Sequence, residues 1–463
     1  MTTLLKEQMT MAGPEMSQTV YAAAGHDREN TAVPSDMVPA NLAKAVAGVT
    51  FGNMVEWFDF AIYSSMSGIM AEVFFPASNK LSQLVAVYAA FAAGFLIRPL
   101  GGFLFGPIGD RYGRRTALVA SISLMSIATL CISVIPGYRS VGIWAPVLLV
   151  AMRLLQGLST GGEYGGSCIF IAEYSPDNKR TYLTSWLEFG NTTGFLIGGL
   201  MVSGVTYCLG WERMLAWGWR VPFVLAGMMG VIALYIRMNV EETPVFRHMQ
   251  EEKSHKPGKD QTIWTMLTQE WPNLLRSAGL VATFNVTYYI VLGYTPTYLA
   301  NIAGYSPLFC SNLSLAISLS LLVFIPCFGW MGDYISRKKM LVMGCLCIGG
   351  GAVPAFLAFQ AHSGLPVIGA CMAVLLTGML CFHGTMPSTL PSLFGSAVRY
   401  TCLAVSYNIS VSLLGGTAPL VNTWLIARTQ YALVPAWYLV ASAMVGLIAL
   451  WGLRDRTGQP MPA

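Results

Sequence analysis

"GPIGDRYGRRTAL", Gly106–Leu118, has a counterpart later in the chain, "GWMGDYISRKKML", Gly329–Leu341. In both copies a glycine precedes an aspartate by four residues, and an arginine follows it by four. The offset between Asp110 and Asp333 is 223. A second pair of segments repeats at nearly the same distance. "AEYSPDNKRTYLTSWLEFGN" (Ala172–Asn191) and "STLPSLFGSAVRYTCLAVSYN" (Ser388–Asn408) each carry a proline and then a lone arginine, Arg180 or Arg399, 219 positions apart. Two unrelated segments repeating at one spacing mean that the second half of the chain repeats the plan of the first.

The sequence between these loops is apolar. Of 463 residues, 54% are hydrophobic and 11% charged, where a water-soluble chain carries about 25% charged residues. Thr116–Tyr138, Phe189–Trp211, Val221–Ile236, Ser277–Gly332, Met340–Val398 and Tyr400–Ala427 contain no Asp, Glu, Lys or Arg. A bilayer-crossing helix needs about 20 apolar residues, and turn residues such as Gly304–Pro307 divide the longer runs. The spacing predicts twelve spans, at 45–73, 82–108, 116–136, 143–170, 185–208, 217–237, 274–302, 310–331, 340–360, 366–387, 398–425 and 433–453. The runs are continuous rather than alternating, which excludes a membrane barrel.

The expected fold is therefore an all-α membrane protein, with twelve transmembrane helices in two six-helix pseudo-symmetric bundles. Residues 1–44 form an N-terminal tail, 45–237 the first bundle, 238–273 a linker, 274–453 the second bundle and 454–463 a short C-terminal tail.

The net charge of +5 is dealt out by loop: twenty Lys and Arg residues fall on the side of the two termini, five on the other, and Arg98 and Arg153 inside spans. This is the positive-inside pattern, placing both termini in the cytoplasm, and not a nucleic-acid-binding surface. The ten cysteines show no C-x-x-C spacing and read as small packing residues.

The first loop resembles the most recognisable signature of the major facilitator superfamily, G-x-x-x-D-R-x-G-R-R. The second copy departs from it at Tyr334 and Ser336. "GNMVEWFDFAIY" (Gly52–Tyr63), "FAAGFLIRPLGGFLFG" (Phe91–Gly106), "RLLQGLSTGGEYGGS" (Arg153–Ser167) and "GWRVPF" (Gly218–Phe223) resemble the metabolite:proton symporters of that superfamily. "YLTSWLEFGNTTGF" (Tyr182–Phe195) and "NVTYYIVLGYTPTYL" (Asn285–Leu299) are most similar to its osmoregulatory proline/glycine betaine branch.

The resemblance runs from about residue 45 to 453. It implies a secondary active transporter of the bacterial inner membrane, not an enzyme. Such a protein imports a zwitterionic compatible solute by proton symport, with the proton as coupling ion, no other cofactor and no metal, as a monomeric unit embedded in lipid. A proton symporter of an organic acid (2-oxoglutarate, citrate or shikimate) and a transport-inactive membrane sensor are the alternatives. The tail after the last span is expected to be too short for the coiled coil of the osmoregulatory branch, so the resemblance does not carry osmotic tuning over.

Within that frame the loop chemistry reads as a gate: Gly106, Asp110, Arg111, Gly113, Arg114 and Arg115 in the first loop, Asp333 and Arg337 in the second. Glycine permits close helix approach, and aspartate caps a helix end or pairs with a cation.

Six charges lie inside spans: Glu56, Asp59, Arg98, Arg153, Glu163 and Glu188, all in the first half. Each is expensive at membrane depth, by about 3 kcal/mol. Asn53, Glu56, Phe60 and Tyr63 share one helical stripe, and Arg153, Gln156, Thr160, Glu163 and Ser167 another. Both stripes are expected to face each other or a central cavity. Burial disfavours a carboxylate's charge, which suits Glu56, Asp59, Glu163 and Glu188 to carrying the coupling proton. The second half offers no intramembrane charge but many aromatics and amides. Aromatic faces attract quaternary ammonium by about 0.5–2 kcal/mol, and one arginine suffices for one carboxylate. The candidate solute residues are Asn53, Trp57, Tyr63, Arg98, Arg153, Trp186, Asn285, Tyr288, Tyr289 and Asn408, while His383 reads as a helix-packing group.

Overall fold

The computed structural model describes residues 39–75, 80–255 and 268–462. The predicted N-terminal tail up to residue 38 and the middle of the linker, 256–267, lie outside the described residues. Ala40–Ala463 form one compact unit. Its first six membrane helices are α1 (Pro39–Ser65), α2 (Lys80–Leu96, resumed as Arg98–Arg111), α3 (Arg114–Val134), α4 (Trp144–Tyr174), α5 (Arg180–Leu209) and α6 (Arg220–Met238). The second six are α7 (Trp271–Tyr288, continued through Thr295–Asn301), α8 (Pro307–Ile335), α9 (Arg337–Gln360), α10 (Leu365–Thr389), α11 (Arg399–Ser410, continued as Ala418–Thr429) and α12 (Val434–Leu450). Helices dominate because lipid offers no partner for a backbone N–H or C=O, and a helix satisfies both internally.

Among the described residues, nine helical stretches are long and apolar enough to cross a membrane, and α12 is a shorter apolar helix. The two remaining, α1 and α4, carry Lys44, Glu56 and Asp59, and Arg153, Glu163 and Glu173, which lowers their hydropathy. The protein's outer surface is studded with exposed apolar side chains such as Tyr207, Val134, Leu200 and Ile448, as a lipid-facing surface requires. Within the predicted linker, Pro244–His255 forms a further helix that the sequence reading leaves as loop.

The halves meet along α5 with α10 and α4 with α11, and most extensively along two helix pairs, α2 with α11 and α5 with α8. Both contacts depend on glycine. A Cβ at Gly106 would come within 2.7 Å of Thr401 Cα, and one at Gly332 within 2.8 Å of Thr181 Cγ2. Proline shapes the membrane middle. Pro99 has no N–H to give Phe95, four residues back, and α2 breaks at Ile97. The stranded Phe95 carbonyl accepts instead from Ser412 Oγ of the other half, at 2.7 Å. α7 and α11 each widen into a π-turn, Tyr289–Tyr294 and Val411–Gly415, shortly before Pro296 and Pro419. Such turns absorb the missing helical bond and often occur at functional sites. Here they bring Gly415 against Asn285 and Tyr289.

Candidate functional site

Each Gly-Asp loop reaches into the opposite half. Asp110 accepts hydrogen bonds from Tyr400 N (3.1 Å), Thr401 N (2.9 Å) and Thr401 Oγ1 (2.7 Å) at the first turn of α11. Asp333 accepts from Thr181 N (2.8 Å) and Tyr182 N (2.9 Å) at the first turn of α5. The first N–H groups of a helix have no internal partner and sit at the positive end of its dipole, so a carboxylate is the fitting cap.

Arg114 locks the first copy, donating to Gly109 O at 2.7 Å and Ser396 O at 2.6 Å. It lies 3.6 Å from Glu173, which also receives Arg399 Nη1 at 2.7 Å. Arg337 donates to Ser388 O at 3.0 Å in the second copy. Arg115 donates to Met238 O, and Arg111 is exposed. Glu242 caps α3 through Arg114 N and Arg115 N, both at 3.1 Å. Burial pushes its carboxyl up, against the opposing pull of the Thr243 and Arg115 N–H groups and of the Arg114 charge. Gly113 holds φ +111, and Ser336, at the matching position, holds φ +112. The serine has kept the backbone of the glycine it replaces.

Two of the intramembrane acids, Asp59 and Glu163, belong to ion pairs inside the first half. Asp59 pairs with Arg153 Nη1 at 3.1 Å and accepts from Gln156 Nε2 at 3.0 Å and Thr129 Oγ1 at 3.2 Å. Glu163 pairs with Arg237 and accepts from Ser121 Oγ at 2.7 Å. The polar stripe of α4 faces its own bundle because these partners sit there. Arg153 is thus neutralised, with its guanidinium 3.7 Å above the Tyr63 ring. Tyr63 donates to Val87 O at 3.1 Å. Arg153 Nε and Nη2 are buried without a hydrogen-bond partner.

Three further candidates meet neighbouring protein groups. Asn53 donates to Asn191, joining α1 to α5. Asn408 donates to Gly161 O at 2.7 Å, joining α11 to α4. Trp186 packs on Tyr182 and Phe189 of its own helix.

A narrow cavity lies between the halves, lined by Trp57, Glu188 and Asn191 from the first half and by Asn285, Tyr288, His383 and Tyr407 from the second. Trp57 and Tyr288 meet edge to face at 5.7 Å. Tyr164 stacks on Tyr407 at 4.2 Å, and Tyr289 meets Phe95 at 6.3 Å. Glu188 accepts from Tyr164 OH at 2.6 Å and Asn191 Nδ2 at 3.2 Å, and shares a hydrogen bond with His383 Nδ1 at 3.1 Å across the interface. His383 Nε2 is buried with no partner.

Arg98 is 4% exposed, and its guanidinium lies 4.1 Å from the Phe95 ring centroid and 4.9 Å from that of Phe60. It forms no ion pair or hydrogen bond with a described residue. Its charge reaches Glu56, Tyr289 and Tyr407. One carboxylate oxygen of Glu56 is buried without a partner.

Sequence reasoning missed Glu173, Arg399, Glu242 and Tyr164. Arg399 carried a signal, as the partner of Arg180 in the repeat. Glu173 lies beside the same motif, but nothing local marks it as the acid shared by Arg114 and Arg399. His383, read as a helix-packing group, packs through the second half's contact with Glu188.

The family described as "Sugar (and other) transporter" matches residues 45–461. The chain is 39% identical over 426 residues to the proline/betaine transporter of Salmonella typhimurium, covering 91% of this chain and 85% of that one. It is 41% identical over 428 residues, with the same coverage, to the glycine betaine/proline/ectoine/pipecolic acid transporter OusA of Dickeya dadantii. Among solved structures, the major facilitator proton:xylose symporter XylE bound to 6-bromo-6-deoxy-D-glucose superposes with a TM-score of 0.74, at 17% identity, covering 91% of this chain and 98% of that one.

Proposed function

The chain belongs to the sugar (and other) transporter family, within the major facilitator superfamily, and from that membership we propose that it imports a zwitterionic compatible solute of the proline or glycine betaine kind together with a proton. The observation that carries this reading is Arg98. A buried guanidinium with no acid bonded to it is costly, and a solute carboxylate would complete it. The aromatic rings of Trp57, Tyr288 and Tyr289 nearby suit the other end of such a solute, a quaternary or secondary ammonium. Two carboxylates of a dicarboxylic acid would call for a second uncommitted arginine, and Arg153 is committed to Asp59.

The proton is handled by Glu188 with His383, which line the cavity, and by Glu56. Glu188 and His383 come from different halves, so rocking of the halves makes and breaks their hydrogen bond. A proton bound there is thereby tied to the state of the carrier, with no other cofactor needed. The basic residues gather in the loops flanking Asp110 and Asp333, which supports a cytoplasmic position for that face in the bacterial inner membrane. The form described here is thus the one closed to the cytoplasm. Both faces of the site come from one chain, which supports a monomeric working unit.

Uptake into proteoliposomes under an imposed pH gradient tests the reading. Radiolabelled proline and glycine betaine should accumulate and 2-oxoglutarate should not. Accumulation of 2-oxoglutarate alone would replace the zwitterion by an organic acid.

A further inference from the structure

After α12 the chain turns back across the closed face, and its backbone becomes the acceptor for basic side chains of both halves. Leu453 O accepts from Lys338 Nζ at 2.8 Å, and Arg456 O from Arg337 Nη2. Gln459 O accepts from Arg180 Nη1 at 3.0 Å, and Pro462 O from Arg399 Nη2 at 2.5 Å. Side chains add to this: Ser336 Oγ donates to Asp455, and Arg337 N donates to Thr457 Oγ1 at 2.9 Å.

The anchors are not surface charges. Arg180, Arg337 and Arg399 are each 4% exposed or less. They open α5, α9 and α11, next to the helix ends capped by Asp333 and Asp110. Arg180 belongs to the first half, Arg337 and Arg399 to the second. When the halves part on this face, Arg180 must move away from the other two. A segment bonded to both sides then has to release at least one buried guanidinium.

We infer that residues 454–462 form a strap that holds the cytoplasmic face shut and biases the carrier toward the form open on the other side. This rests on alternation between two openings, not on the identity of the solute. Two features define how the strap works. Its main acceptors are backbone carbonyls, so most side-chain substitutions along it leave the bonds in place. Its one acid does not make it a neutral-range pH switch. Partial burial works against the Asp455 charge, but hydrogen bonds from Ser336 and Thr457 and the nearby Arg337 outweigh it and hold the carboxyl below its usual range. Asp455 therefore keeps its charge throughout the neutral range.

Hydrogen exchange read by mass spectrometry in lipid nanodiscs tests the strap, because the amides of Thr181, Tyr182, Tyr400 and Thr401 are protected by the two aspartate caps. In a variant ending after Arg454, exchange of segments 180–184 and 398–404 is expected to rise about tenfold, the equivalent of about 1.4 kcal/mol, while α3 is unchanged. A peptide of residues 454–462 added in trans should restore protection. Unchanged exchange in both segments overturns the proposal.

If that variant is globally unfolded, with exchange rising in α3 as well, a second form decides. A specific protease site inserted between Leu453 and Arg454 is cut after purification, and the released peptide is washed away and its loss verified by mass. Faster exchange confined to the two capped segments supports the strap, and equal exchange before and after cutting overturns it.

Discussion

Asp110 accepts two hydrogen bonds from Thr401, one from its backbone N at 2.9 Å and one from its Oγ1 at 2.7 Å. The two residues lie in different halves of the chain, 291 positions apart. Asp333 makes the equivalent contact with Thr181 in the reverse direction. The repeated loop thus performs the same act twice, and the closed face is pinned at two related points.

Asp110→Asn and Asp333→Asn each keep an acceptor oxygen but lose the charge facing the helix dipole, a loss of about 1 kcal/mol. Each should weaken the closed form several-fold and lower the maximal uptake rate correspondingly. The double variant should lose about the sum in free energy, because the contacts share no partner. Wild-type uptake kinetics in all three would refute a latch.

Asp59 and Arg153 should behave as a structural pair. Asp59→Ala alone strands a buried guanidinium and should cost about 3–5 kcal/mol, whereas the joint replacement Asp59→Leu with Arg153→Met should cost far less. Thermal unfolding in detergent measures both. The joint variant should retain uptake driven by a pH gradient; loss of coupling in a stably folded joint variant would return Asp59 to the proton path.

Arg98→Lys keeps the charge but loses the planar fork. Forfeiting one charge-assisted hydrogen bond of about 1.5 kcal/mol should raise KM for the solute about tenfold with little change in maximal rate. Arg153→Lys, away from the cavity, serves as the contrast. Equal KM values for Arg98→Lys and the unaltered protein would exclude Arg98 as the carboxylate anchor.

Glu188→Gln preserves shape and removes the ionisable group. Exchange of labelled for unlabelled solute should continue, and accumulation against a gradient should cease. His383→Gln should do the same if the proton belongs to the couple. Undiminished uphill accumulation by both would place coupling elsewhere, with Glu56 the next residue to test.

Gly113→Ala should destabilise the closed face by more than about 1 kcal/mol, since φ +111 is costly for alanine. The new Cβ would also sit 2.1 Å from Glu242 Oε2, displacing the cap on α3. Ser336→Gly relieves a similar backbone cost but removes the Oγ that caps Lys339 N at 3.3 Å, so its melting temperature should change little. A larger loss for Ser336→Gly than for Gly113→Ala would contradict this comparison.

By itself the sequence determined the helical membrane class, the duplicated plan and the location of the two loops that close it. Those properties are carried by composition, periodicity and spacing, which do not depend on where distant segments meet. It also named Arg98, Glu188, Trp57 and Tyr288 among the candidates. Only the tertiary structure decided which of six similar intramembrane charges were already spoken for. Asp59 finds Arg153 across 94 positions, and Glu188 finds His383 across 195. A buried charge takes its role from the partner within a few ångströms, because in a low-dielectric interior that neighbour outweighs everything else, and no pattern along one helix records what the next helix brings to it. For the same reason Arg237, Arg180, Arg337 and Arg399 read as loop charges in the sequence and became buried anchors in the fold.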